Sequence, residues 1–497
     1  MGVFSSVPVA DSDMSIQHSV LLQWSPKVCL MLVWGWWIWW VCEPLPFYPT
    51  GVDWTQYIMG AEYLWRWSSE IVYPDWRHPL YSYLLGLGAV DSYAQSARVL
   101  NVLGMAFGGA ACMYVGQVIR RPWFAVMTCS MWLFNPLVLD ARDWINPYML
   151  WGGTLAVVSS CGWRTVASES KWIAFATLLA GSVSLWLDGR TIVVLLVIVL
   201  WSMLHQKWRK SVVLTFGWIA AVGLEKAFLG LYDIQLKELA EQLELQRDFL
   251  FREGMAFQLF PSPDNAALIE DVCVSQRLIK STDWDCAFQM GQGNLQVWLE
   301  QGLLPPILLM VLSAVGVAIR RDWKLILLLA ALCGPLLMSG VVWQPPRYLF
   351  WTLWCWVAFL GGSVYSFAAY AKLKWVTIPY VLGIFWWLWS APVLTSLDQP
   401  KDWPTTGRLV SEQVGDRVLD CTGEGFTLAR LSSRRSPKWF MLPTTGSCRR
   451  WMDEGTAVSW GVDTVLSIQA FSPPEGWTLE TGFDFKSGIV YMYRSSK

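Results

Sequence analysis

The chain of 497 residues is 54% hydrophobic and only 15% charged, with a mean hydropathy of +0.37, whereas soluble globular domains carry about a quarter charged residues. That balance excludes an ordinary soluble enzyme and indicates a chain solvated largely by lipid. The net charge of −1 gives no footing for nucleic-acid binding, and the 36 tryptophans suit a membrane–water boundary, where a flat apolar ring with one N–H donor is at home.

The first twenty residues are polar, and Lys27 and a Trp-rich run follow. No small-residue cleavage site comes after that run, which predicts an uncleaved first anchor rather than a signal peptide. Apolar runs of roughly 17–25 residues can span a bilayer as helices, and about eleven occur here. They are 25–42, 97–118, 123–139, 146–163, 172–187, 190–204, 211–231, 303–319, 324–342, 348–369 and 375–396. The sixth is short, and Asp188-Gly189-Arg190 before it reads as a tight turn.

The connections alternate in charge. One set holds Lys27, Arg120-Arg121, Arg164 with Lys171, Lys207-Trp208-Arg209-Lys210, Arg320-Arg321, and Lys372 with Lys374. The other set comprises 43–96, 140–145, 188–190, 232–302 and 343–347, and its short members carry a single Arg each. Lys and Arg stay in the cytoplasm during insertion, so the first set and the amino terminus are predicted to lie inside. An odd number of spans then puts the carboxyl-terminal region outside. The expected fold is a polytopic α-helical membrane protein over residues 1–397, with a small extracytoplasmic α/β domain over 398–497.

That last region turns polar and Gly-rich. A helical pattern, "TGRLVSEQV", precedes strand-like runs "DRVLDC", "DTVLSIQA" and "GIVYMYR". No Gly-rich nucleotide fingerprint follows a strand, and "CTGEGF" is too loose to count as one. Four cysteines lie in outer regions, where an oxidising exterior permits the bridges Cys273–Cys286 and Cys421–Cys448.

Chemistry collects on the outer connections. The first holds Asp53, Glu62, Asp75, Arg77 and His78; the second, "LDARDWINPY", holds Asp140, Arg142 and Asp143; the third ends on Arg190. The long fourth begins with an amphipathic pattern, "LKELAEQLELQRDFLF", suited to the membrane surface, and the fifth is "WQPPRY" with Arg347. Acids and arginines at membrane edges are costly unless paired or hydrated, which makes them functional candidates. Glu225 and Lys226 stand apart, inside a span near its outer half, where snorkelling or pairing with another helix would accommodate them.

Asp53, an amphipathic stretch, and then His78-Pro79-Leu80-Tyr81 leading to "ARVLNVLGMAFGGA" resemble the glycosyltransferase C superfamily. More closely, they look like the branch of protein O-mannosyltransferases and lipid A aminoarabinose transferases. "NPLVLDARDWINPYMLWGG", "WQPPRYLFWTLWCWVAFL" and the closing "GWTLETGFDFKSGIVYMYR" resemble later family segments in order. The family's acid pair appears here as Asp53-Trp54, and its double proline as His78-Pro79.

The resemblance implies transfer of a sugar from a polyprenyl-phosphate donor in the outer leaflet to a glycan, lipid or protein acceptor. A bacterial inner membrane is the expected setting. Such transfer needs a base for the acceptor's proton and cations for the departing lipid phosphate. Asp53 is the expected base, with a helix N-cap as its alternative role. Asp143 is the second catalytic candidate: it would orient the acceptor, support the base, or hold a divalent metal cation with Asp53, against an ion pair with Arg142 or a cap near Ile145. Arg142, Arg190 and Arg347 offer guanidinium forks for phosphate, against snorkelling to headgroups. Arg77 and His78 complete the substrate-binding candidates; a lone His is not a metal site and equally caps the turn before Pro79. Two other classes fit a polytopic chain. A transporter or lipid flippase predicts broken segments at the membrane midplane and related halves. An O-antigen ligase or polymerase shares the many spans and the long outer loop.

Overall fold

The computed structural model describes residues 20–42, 52–65, 78–88, 93–234, 307–319, 350–369, 374–390, 409–410, 412–421, 438–441, 452–453, 455–459, 461–467, 470–485 and 488–496. Helices lie on every predicted segment within these residues, and the segment 324–342 falls outside them. The order is α1 (Val20–Cys42), α2 (Val52–Leu64), α3 (Pro79–Gly88), α4 (Tyr93–Val118), α5 (Pro122–Leu133), α6 (Pro136–Asp140), a 3₁₀ turn (Ala141–Asp143), α7 (Tyr148–Ala167), α8 (Lys171–Leu187), α9 (Thr191–Leu204) and α10 (Trp208–Leu231). After these come α11 (Ile307–Ile319), α12 (Phe350–Ala369) and α13 (Lys374–Ser390). Two of them, α4 and α10, are long and apolar enough to cross a membrane by length and composition; α8, α9 and most of α1 and α13 are shorter apolar helices.

One predicted segment is broken. The run 123–139 looks continuous by hydropathy, yet α5 stops at Leu133 and α6 restarts at Pro136. Proline cannot supply the N–H that a continuing helix needs, but it suits a first helical position. Asn135 caps the restart by accepting the Leu137 N–H.

The bundle buries small and polar side chains among large apolar ones, and many further large apolar side chains face outward. On α10, Ser211, Leu214, Trp218, Ala221, Glu225 and Leu229 are buried at helical spacing, whereas Val213, Phe216, Ile219 and Leu224 are exposed. A soluble helix would show the opposite contrast. Gly104 of α4 and Gly153 of α7 let the two backbones touch, since a Cβ on either would run into the other helix's main chain. Hydroxyls bridge neighbours: Thr154 to Ser184 at 3.3 Å, Thr165 to Thr177 at 2.8 Å, and Ser313 to Tyr380 at 2.5 Å. Such a surface belongs in lipid, and the chain is an integral membrane protein.

The pairs Thr154–Ser184 and Thr165–Thr177 run α7 and α8 antiparallel, and Ser211 Oγ donating to the Val199 carbonyl does the same for α9 and α10, which sorts the connections to two ends. Lys207 Nζ reaches Glu169 at 2.6 Å, and Lys210 Nζ reaches the Thr165 carbonyl at 2.9 Å, joining two Lys/Arg-bearing connections at one end. The connections at 78, 140–145 and 188–190 lie at the other.

Residues 417–495 carry a five-stranded mixed sheet of order β2-β1-β3-β5-β4, with β1 (Arg417–Asp420), β2 (Lys438–Met441), β3 (Thr464–Ser467), β4 (Trp477–Phe485) and β5 (Gly488–Ser495). β1 runs parallel to β2 and β3, while β5 is antiparallel to β3 and β4. β1, β3 and β5 fall on the three strand-like runs; β2 and β4 are additional. Leu419, Val465, Trp477 and Tyr493 form its core. Cys421 is disulfide-bonded; Cys448, its expected partner, and the pair Cys273–Cys286 lie outside the described residues, as does the amphipathic stretch after Asp233.

Candidate functional site

His78 stands just before α3, whose first residue, Pro79, is pre-organised for a helix start. Its imidazole joins three elements. The Gly189 N–H donates to Nε2 at 3.0 Å, so Nδ1 carries the proton and donates to Glu225 Oε1 of α10 at 2.7 Å. Gly189 suits this closeness: a Cβ there would stand 3.0 Å from Nε2, a tight contact that would press on the ring. With both ring nitrogens engaged, His78 offers no lone pair to a metal.

The turn from α8 to α9 is built by its own side chains. Asp188 Oδ1 accepts the Arg190 N–H at 2.9 Å, closing an Asx turn, and also accepts Arg190 Nε at 2.9 Å, while Oδ2 accepts Nη2 at 2.5 Å. The guanidinium lies 5.0 Å from the Trp151 ring centre and 5.8 Å from that of Tyr148, within cation–π range of both. Trp151 is itself pinned by Nε1 donating to Thr191 Oγ1 at 2.8 Å. Arg190 is thus held as a planar, oriented cation whose side chain keeps 27% of its surface exposed.

Charge follows this geometry. Burial presses the His78 imidazole toward its neutral form. The hydrogen bond to Glu225, that carboxylate's charge and the charge of Asp188 outweigh both burial and the opposing Arg190, so its pKa lies above the ordinary 6.5. Burial alone would raise Asp188, but the Arg190 charge and hydrogen bonds, with His78, hold it below the ordinary 3.8. Asp188 therefore stays ionised across the physiological range. The stability of its pair with Arg190 is present above 3.8 and is lost as pH falls through the lowered value.

The second connection is anchored differently. Arg142 is 1% exposed; its Nη1 donates to the Trp40 carbonyl at the end of α1 at 2.9 Å, and its guanidinium sits 4.6 Å from the Trp40 ring centre. From α4, Asn101 Nδ2 donates to the Arg142 carbonyl at 3.2 Å and to the Trp144 carbonyl at 2.6 Å. A phosphate reaches this guanidinium only if the Trp40 contact opens.

Of the residues singled out by sequence, His78 and Arg190 meet across Asp188 and Gly189, and Arg142 serves the neighbouring α1 junction. Asp53 lies in the first turn of α2 and Asp143 ends the 3₁₀ turn; their side chains, with Arg77 and Arg347, are outside the described residues. Glu225, Asp188, Tyr148 and Trp151 were not assigned roles by sequence. An acid inside an apolar span was the available signal for Glu225; nothing in the spacing links it to His78, 147 positions away. Among the described residues no three His, Cys, Asp or Glu side chains gather as for a metal ion.

No family model matches the chain, and no curated protein matches it by sequence. Solved structures share its fold. ArnT from Cupriavidus metallidurans, bound to undecaprenyl phosphate, superposes with a TM-score of 0.54 at 11% identity, over 95% of this chain and 98% of that one. The archaeal oligosaccharyltransferase AglB from Archaeoglobus fulgidus, in complex with an inhibitory peptide and a dolichol-phosphate, gives 0.52 at 10% identity, over 90% of this chain and 70% of that one. The likeness to both runs through nine-tenths of the chain, and the fold is glycosyltransferase C-like.

Proposed function

We propose that the chain is an integral membrane glycosyltransferase that moves a sugar from a polyprenyl-phosphate donor to an acceptor on the outer side of the membrane. The observation that carries this is the shared fold with two structures that each hold a long-chain prenyl phosphate. Asp53, at the head of α2, takes the acceptor's proton. Arg190, Arg347, Arg77 and His78 hold the lipid phosphate as charge develops on it. Asp143 supports Asp53 or shares a divalent cation with it, while Arg142 ties the turn that carries Asp143 to the end of α1. The amino terminus is cytoplasmic, and residues 398–497 form an outer domain that contacts the acceptor.

Incubating the purified chain with a polyprenyl-phosphate sugar should release polyprenyl phosphate in step with glycosylated acceptor. A transport protein would move the lipid between leaflets and leave its sugar linkage intact, which would overturn the reading. Arg347→Lys keeps the charge but loses the planar two-point grip on phosphate. The expected result is a marked fall in transfer at unchanged expression; full turnover in both Arg347→Lys and Arg347→Ala removes Arg347 from the phosphate site.

A further inference from the structure

Glu225 is a buried acid on α10 that the transfer reaction does not need as a base, and it is joined to the outer turn by a single imidazole. The contact between His78 Nε2 and the Gly189 N–H holds only while Nε2 has a lone pair. A proton taken from solvent onto Nε2 leaves two N–H donors facing each other about 3.0 Å apart. Two donors cannot keep that contact, and an anionic oxygen that enters as they part can accept from both.

We propose that His78 and Gly189, with Glu225 as the positioning residue, form a proton-coupled seat for an oxygen of a phosphate monoester. This deepens the donor-phosphate reading and rests on it for the identity of the ligand. Glu225 fixes the ring through Nδ1 at 2.7 Å, so the incoming proton goes to Nε2 and nowhere else on the ring. The charged groups facing the imidazole among the described residues are Glu225 from α10 and Asp188 and Arg190 from the turn. With His78 neutral these sum to a net negative charge that repels phosphate, and one proton removes it. The raised His78 pKa puts that uptake above the ordinary 6.5.

Two signs separate the seat from a merely structural ion pair. The stabilising effect of protonated His78 on the whole fold is complete below 6.5 and is lost as pH rises through the raised value. Protection of the 188–190 turn runs the other way: without ligand, its amides should exchange faster on acidification, because the acceptor for Gly189 is gone. Phosphate should restore them.

The test uses the full chain in lipid nanodiscs, with undecaprenyl phosphate in the bilayer or inorganic phosphate in solution, across a pH series. Affinity for undecaprenyl phosphate should rise as pH falls, by up to about tenfold per pH unit for one coupled proton. Inorganic phosphate should show the same trend more weakly; a response to it alone would assign the seat to a soluble phosphate instead of the lipid. The lipid's own ionisation near about 6 is common to every variant, so the comparison is between variants. Glu225→Gln should move the rise to lower pH, and His78→Gln should leave only the lipid's contribution. Superimposable profiles for wild type and Glu225→Gln overturn the proposal. If undecaprenyl phosphate fails to bind at any pH, the donor reading fails by itself. Hydrogen exchange of the wild-type turn then decides the relay, with pH-independent protection counting against it; that measurement needs no variant to fold.

Discussion

Replacing Asp53 by Asn is expected to cut transfer by about 10²–10⁴-fold, the usual contribution of a general base, with little change in melting temperature. The reasoning starts from α2. Tyr57, Ile58, Ala61 and Leu64 are buried on one of its faces, and Tyr57 meets Tyr81 of α3 edge-on at 5.3 Å. The helix carrying Asp53 is therefore fixed by packing four or more residues further along the chain. The helix begins at Val52, so Asp53 is a first-turn residue rather than the N-cap that is its alternative role. There a carboxylate gains at most about 0.3–1 kcal/mol from the helix dipole, and Asn forfeits only that. Asn keeps the size and an oxygen acceptor but cannot take the acceptor's proton. Transfer and melting temperature measured on the same purified variant separate the roles. Full activity would move the base assignment to Asp143; activity and stability falling together would leave Asp53 a structural residue.

Arg190→Lys should raise the apparent KM for the lipid donor by about 10- to 100-fold, corresponding to the roughly 1.5–3 kcal/mol of a charge-assisted hydrogen bond. The guanidinium meets Asp188 through two separate nitrogens and lies against the Trp151 and Tyr148 rings. A lysine ammonium is a point charge that can reproduce neither the fork nor the flat stacking. Orientation would be lost while charge is kept, so a phosphate would meet a mobile cation. Steady-state kinetics with donor varied is the measurement, and the kcat for saturating donor should fall less than kcat/KM. An unchanged KM would remove Arg190 from the phosphate site and leave it as the clasp of the α8–α9 turn.

Sequence by itself determined the membrane character, the placing of the apolar helices among the described residues, and the sorting of connections into two alternating sets. Each rests on a property that residues carry without partners: the cost of leaving apolar side chains in water, and the retention of Lys and Arg on one side during insertion. It also marked Asp188-Gly189-Arg190 as a turn, because an Asp, a Gly and an Arg between apolar runs cannot continue a helix through lipid. Hydropathy missed the break at Pro136, since an average over a window does not register one lost N–H. The tertiary structure alone decided which polar groups meet. Glu225 and His78 are far apart in the chain and become neighbours only when α10 packs beside α3 and the α8–α9 turn. Arg142 looked like an outer cation until folding closed it over Trp40. Pairing energies of this kind depend on distances of a few ångströms between elements, and no local pattern in the chain encodes those distances.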